Sequence, residues 1–118
     1  MRIAIPREAH PGESRVPIIP AVARKLVQLG AEVVIESGMG TGSGFSDAEY
    51  VDAGATVIDD RKELIASADL LLRVRKPAQD EIALMKHGCI HISYLDPFNE
   101  HDLVKAFRDA GVTAISME

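Results

Sequence analysis

Two arginines and a small set of carboxylates are the residues of this sequence best equipped to do chemistry. Residues 1–20 read MRIAIPREAHPGESRVPIIP and place Arg7, Glu8, His10, Glu13 and Arg15 in one polar stretch. Residues 72–77 read Leu72-Arg73-Val74-Arg75-Lys76-Pro77, an apolar run that ends in three cations. A guanidinium is a planar fork that stays charged and matches a carboxylate or a phosphate. Arg15 and Arg75 are therefore candidate grips for an anionic ligand. A partly buried arginine also needs an anion from somewhere. An internal ion pair with Glu8, Glu13 or Asp96 would meet that need as well, and side-chain chemistry leaves both readings open.

The elements that must position these groups follow from the hydrophobic pattern. A short strand over residues 3–5 feeds the charged loop, and Pro20 suits the first turn of a helix. Val22, Leu26, Val27 and Leu29 give that helix an apolar stripe, and Gly30 ends it. Residues 31–36 form a strand, a glycine-rich run follows, and Ser46 to Glu49 has the form of a capping box. Further strands are expected at 55–58, 70–74, 89–94 and 112–117. Helices are expected over 61–68 and 79–86, and over 100–110 with Asn99 as its cap. Arg73 and Arg75, two apart on a strand, are expected on one face. Strands alternating with helices imply an α/β fold: a three-layer, mostly parallel, doubly wound sheet of flavodoxin-like or Rossmann-like topology. The stop at Glu118 inside a strand pattern reads as an incomplete domain.

Composition narrows the function classes. The chain has 118 residues, 47% hydrophobic and 26% charged, which suits one soluble domain. Its net charge of −5 argues against a duplex nucleic-acid binder, which needs a basic face. Cys89 stands alone, so no internal disulfide forms, and no apolar run is long enough to span a membrane. A cytoplasmic location is the expectation.

Two motifs invite stronger readings than they carry. Gly38, Gly40, Gly42 and Gly44 lie between a strand and a helix, with Asp59 and Asp60 downstream at a distance suited to a ribose. Yet the run follows the second strand, departs from G-x-G-x-x-G, and leads into a helix opened by Asp47 and Glu49. Those carboxylates occupy the helix turn that would otherwise attract phosphate, so a surface turn is the better reading. His87, Cys89 and His91 alternate as if along one strand face. At ~3.3 Å per residue the histidines would stand some 13 Å apart, too far to share an ion, so no metal site is expected.

Several of these pieces together resemble a known family. IPRE…GE-x-RV-x-x-x-P over 5–20, VVIESGMG over 33–40, LLRVRKP over 71–77 and DEIALMKHG over 80–88 look like the N-terminal domain shared by two groups of proteins. These are alanine dehydrogenase and the NAD(H)-binding α subunit of proton-translocating nicotinamide nucleotide transhydrogenase. The resemblance covers essentially the whole chain. In the dehydrogenases, an arginine at the position of Arg15 and a lysine in a K-V-K-x-P segment hold the oxoacid, and a histidine beyond the next strand serves the chemistry. Here Arg15 is kept, Arg75 stands for the lysine and Asp96 in Tyr94-Leu95-Asp96-Pro97 for the histidine, so the resemblance makes Asp96 the third candidate beside Arg15 and Arg75.

Arginine does not exchange protons near neutral pH, and Asp96 would repel an oxoacid carboxylate. Hydride transfer between two nicotinamides needs positioning rather than a proton-transfer residue. The resemblance therefore implies the transhydrogenase branch, with no catalytic residue in this stretch and NAD bound mainly by a Rossmann domain beyond residue 118. It further implies a homodimeric full-length subunit, membrane-embedded partner subunits and an NADP-binding component. The protein would then be cytoplasmic and peripheral to the inner membrane. Two other readings stay open. One is an alanine dehydrogenase-like enzyme with Arg15 and Arg75 as a carboxylate grip, the other a non-catalytic assembly module.

Overall fold

The first apolar run becomes the middle of the sheet. β1 (Arg2–Ile5) pairs in parallel with β2 (Glu32–Glu36) on one side and with β4 (Leu70–Arg75) on the other. β3 (Thr56–Ile58), β5 (Ile90–Tyr94) and β6 (Thr113–Ser116) complete a sheet of order β3-β2-β1-β4-β5-β6. The computed structural model describes all 118 residues, and all six strands run parallel. The fold is α/β and Rossmann-like, as the alternating pattern implies. Strand order reverses between β1 and β4, and in such sheets ligands bind in the crevice outside the carboxyl ends at the reversal. The loop after β1 and the arginines at the end of β4 meet at that point.

Each strand is joined to the next by a helical crossover, as parallel pairing requires. α1 (Pro20–Gln28) and α2 (Asp47–Asp52) cover one face. α3 (Arg61–Ser67), α4 (Gln79–Ile82) and α5 (His101–Asp109) cover the other. Side-chain alternation divides the core accordingly. Ile3, Ile5, Val33 and Ile35 pack with Ala23, Tyr50 and Ala53, whereas Ala4, Val34 and Leu71 pack with Leu64, Ile65, Ile82, Leu103 and Phe107.

Local signals explain most boundaries. Pro20 opens α1, and Ser46 with Glu49 forms a complete capping box on α2. Asp60 caps α3 by accepting from the Glu63 amide, so it is engaged in fold chemistry rather than poised for a ribose.

The remaining elements differ from the sequence expectation in three places. α1 buries Ala23 and half-buries Leu26 and Val27, while Val22 and Leu29 face outward, so its inward stripe is narrower. α4 spans only Gln79–Ile82, because i→i+3 bonds from Leu84 to Glu81 and from Met85 to Ile82 tighten the chain and turn Met85 into the core. Asn99 does not cap α5. Its side-chain amide donates to Asp96 Oδ1 at 2.9 Å, and the Asp96 carbonyl accepts from the backbone amides of Asn99 and Glu100. Glu100 takes the N-cap position with no side-chain bond.

Candidate functional site at the sheet reversal

The end of β4 is irregular, and that irregularity builds the site. Leu72 pairs with Ile92 and Arg75 with Tyr94, so β4 carries one residue more than β5 over this stretch. Such a bulge interrupts the alternation of side chains and frees backbone amides. The amides of Val74 and Arg75 both donate to the Glu8 carboxylate, each at 2.9 Å. Glu8 thus straps the loop after β1 to the end of β4, across the reversal.

The bulge also corrects the expectation that Arg73 and Arg75 share a face. Arg75 reaches the loop, where its Nε donates to Glu13 Oε1 at 2.9 Å. Arg15 meets the same carboxylate in fork geometry, Nε to Oε2 at 2.9 Å and Nη2 to Oε1 at 2.8 Å. Arg15 and Arg75 therefore converge, as their chemistry allows, but the anion between them is Glu13. Its side chain is only 4% exposed, whereas those of Arg15 and Arg75 are 62% and 45% exposed. Hydrogen bonds from Arg15, joined by one from Arg75, hold the Glu13 carboxyl well below the usual carboxylate range. Glu13 in turn raises the affinity of Arg15 for its proton. With two guanidinium charges and one carboxylate the trio carries +2 − 1 = +1.

Arg73 turns instead toward α4, where its Nη1 donates to Glu81 Oε1 at 2.7 Å. Glu81 also accepts from Arg61 Nε at 2.7 Å, and Arg61 Nη1 donates to Glu36 Oε1 at 2.6 Å and to the Arg7 carbonyl at 2.7 Å. A ladder of alternating charges so links β4, α4, α3 and β2 beneath the loop. Burial opposes the charge on Glu81, but hydrogen bonds from Arg61 and Arg73 outweigh it and hold that carboxyl below its ordinary range. Sequence reasoning missed this ladder. The available signal was Arg73 itself, a cation inside an apolar strand that had to find a carboxylate.

Asp96, the third candidate, makes no ion pair with either arginine. Its carboxylate accepts from Asn99 and lies 3.9 Å from Lys76 Nζ, which bonds Glu100 at 2.6 Å. Its backbone is left-handed, with φ +52°, and its amide donates to Glu118 Oε1 at 2.9 Å. The histidines and the cysteine are dispersed. His87 sits in the turn before β5, while Cys89 and His91 are buried. His91 bonds Ser93 Oγ at 2.9 Å and packs on Phe107, and burial pushes its pKa down to about 3. No three His, Cys, Asp or Glu side chains stand close enough to hold a metal ion.

The glycine turn supports the loop by close approach. A Cβ on Gly40 would lie 2.6 Å from the Tyr50 ring and 2.8 Å from the Phe45 carbonyl, and one on Gly42 would lie 3.1 Å from Ser14 Cα. Ser43 Oγ donates to the Ser14 carbonyl, and Tyr50 donates to the Ile18 carbonyl at 2.8 Å, pinning the loop where it enters α1. On the opposite side of the arginine cluster lies an apolar recess of about 470 Å3, with Pro17, Leu72, Ile92, Tyr94 and Met117 on its wall and Arg15 on its rim.

This architecture has close counterparts. Residues 4–118 match the family described as alanine dehydrogenase/PNT, N-terminal domain. The chain belongs to that family. An NAD(P) transhydrogenase subunit alpha protein of Rhodospirillum rubrum is 38% identical over 123 residues, covering 100% of this chain and 32% of the relative. The alanine dehydrogenase of Methanococcus maripaludis is 39% identical over 118 residues, with the same two coverages. The crystal structure of transhydrogenase from Sinorhizobium meliloti superposes with a TM-score of 0.93 at 36% identity, over 100% of this chain and 35% of that one. The chain thus spans about a third of the length of these family members, which are oxidoreductases by name. No helix in this alanine dehydrogenase/PNT domain is long and apolar enough to cross a membrane.

Proposed function

We propose that residues 1–118 are the N-terminal part of the NAD(H)-binding α subunit of a proton-translocating NAD(P) transhydrogenase. The supporting observation is that the three candidate residues at the sheet reversal, Arg15, Arg75 and Asp96, offer no free group placed for proton exchange near neutral pH. Arg15 and Arg75 are fixed cations clasping Glu13, Asp96 is engaged with Asn99 and Lys76, and the buried His91 is held neutral. Reductive amination of an oxoacid needs such a group, whereas hydride transfer between two nicotinamides needs only that they be held in line. In this reading, residues 1–118 form a domain that precedes an NAD-binding Rossmann domain. NADH bound mainly by that domain passes hydride to NADP+ on a separate component, coupled to proton movement through membrane-embedded subunits. The full-length subunit is a homodimer, cytoplasmic and peripheral to the inner membrane. The test is NADH oxidation by the full-length protein with its partner subunit and an NADP+ analogue. Robust NADH oxidation that depends on pyruvate and ammonium would overturn the proposal.

One observation favours a second reading, an amino- or oxoacid dehydrogenase gripping its substrate carboxylate with Arg15 and Arg75. Arg15 Nη1 and both terminal nitrogens of Arg75 make no hydrogen bond within the chain, and the Glu13 cluster keeps a net positive charge beside an apolar recess. Substrate-dependent turnover lost in Arg15→Ala would support this reading, and unchanged turnover would count against it.

A further inference from the structure

A smaller cavity, of about 270 Å3, lies between the loop after β1 and the glycine turn after β2. Its wall includes Arg7, Glu8, Glu13, Ser14, Gly38 and Thr41. Both carboxylates on that wall are already engaged, Glu8 by the amides of Val74 and Arg75, and Glu13 by Arg15 and Arg75. The remaining polar side chains, with Arg15 among them on the wall beside Glu13, offer donors. Arg7 takes part in the fold only through its backbone, its amide donating to Glu36 and its carbonyl accepting from Arg61. Its guanidinium has no ion pair or hydrogen bond, and neither the Ser14 nor the Thr41 hydroxyl has a hydrogen bond within the chain.

A Cβ on Gly38 would lie 3.5 Å from Arg7 Nη1 and 3.8 Å from Thr41 Oγ1, so the fork lies over the bare turn next to a hydroxyl. We propose that this cavity binds an anion of the phosphate class, with Arg7 as the charged fork and the Thr41 and Ser14 hydroxyls as further donors. Donors arriving from two loops suit a tetrahedral oxyanion, and a guanidinium contact to phosphate is charge-assisted on several N–H groups. The glycines act here by letting the anion and Arg7 approach the backbone, not as a dinucleotide fingerprint. The proposal is independent of which oxidoreductase reaction the full-length protein performs.

The test is a titration of the 118-residue chain with inorganic phosphate at constant ionic strength, followed by amide NMR, with adenosine monophosphate as a second arm. Saturable shifts confined to residues around Arg7, Ser14 and Gly38 to Thr41 are expected, weakened at least tenfold in Arg7→Gln and measurably in Thr41→Val. Equal affinity for the two probes identifies free phosphate as the ligand, and tighter binding of the monophosphate identifies a phosphate ester. Shifts spread over all surface cations, or affinity unchanged in Arg7→Gln, would overturn the site. Arg7 supports nothing else through its side chain, so that variant is expected to fold.

Discussion

Glu13 and Arg75 are 62 residues apart in the chain and meet at 2.9 Å, with Arg15 closing on the same carboxylate from the other side. The contact places an internal anion between the two guanidinium groups that sequence chemistry singles out as an anion grip. Arg75 reaches it because the bulge in β4 turns that arginine away from the neighbouring Arg73. Backbone irregularity and side-chain charge thus decide together what the crevice can bind.

If the full-length protein is a transhydrogenase subunit as proposed, oxoacid chemistry should require two changes at once. Arg75→Lys supplies an ammonium whose proton affinity can be tuned, and Asp96→His supplies a group that titrates near neutral pH. Histidine tolerates the left-handed backbone at position 96 better than most residues. In the full-length protein each single variant should lack pyruvate- and ammonium-dependent NADH oxidation. The double variant should gain it, since acid–base catalysis contributes about 10²–10⁴-fold. Steady-state assays read the result, and activity in either single variant would show that the missing groups are not both needed.

Glu81→Gln should weaken the fold by about 2 kcal/mol, somewhat below the ~3–5 kcal/mol of a fully buried pair that loses one partner. Arg73 is 3% exposed and would keep its charge with no carboxylate in reach, while Arg61 would retain Glu36. Urea denaturation at neutral pH checks this. Arg73→Met combined with Glu81→Gln should recover part of the loss, because the stranded charge goes with the arginine.

Acid sensitivity should begin above the carboxylate range. His91 titrates near 6.5 when unfolded and at about 3 when folded, so the unfolded chain takes up its proton first. The stabilisation is fully present above pH ~6.5 and is lost as pH falls toward 3, by up to about 1.4 kcal/mol per unit. The Glu13 contribution has the same sign but is lost only once pH enters and passes below the ordinary carboxylate range. Unfolding free energy measured between pH 7 and 5 should therefore slope in the native chain and flatten in His91→Gln.

Gly40→Ala should cost about 1–3 kcal/mol, as overpacking does. The backbone at Gly40 has φ −89°, which any residue accepts, so the cost is steric. The methyl would meet the buried Tyr50 ring and a backbone carbonyl, neither of which can swing aside. Thermal melts of Gly40→Ala against Gly44→Ala separate the two effects, since a Cβ at Gly44 meets nothing within 4 Å but must adopt φ +83°.

The order of strands and helices was legible because periodicity and caps are local signals. Ser46 with Glu49, Asp60 and Pro20 each did what its type and neighbours suggest. The arrangement inside the site was not legible to the same depth. Alternation on an ideal strand puts Arg73 and Arg75 together, and only the register between β4 and β5 reveals the inserted residue that parts them. The choice of Glu13 over Asp96 as partner of Arg15 likewise depends on where the loop runs. Asn99 has the residue type of a cap, but its side chain is turned back to Asp96 Oδ1 at the left-handed turn and leaves the α5 amides unserved.

The placement of β1 has a consequence for how the chain acquires its structure during synthesis. β1 precedes the other five strands in the chain yet lies in the middle, and its second neighbour begins only at Leu70. β1 and β2 can pair through a short crossover, but one edge of β1 stays open until β4 has left the ribosome. Loop-closure entropy makes that late pairing the slow event, and an open apolar edge is where nascent chains associate wrongly. The clasp of Glu8 on Val74 and Arg75 can form only after β4 has docked. The strap across the crevice thus serves as a molecular sign that the central pairing has been completed.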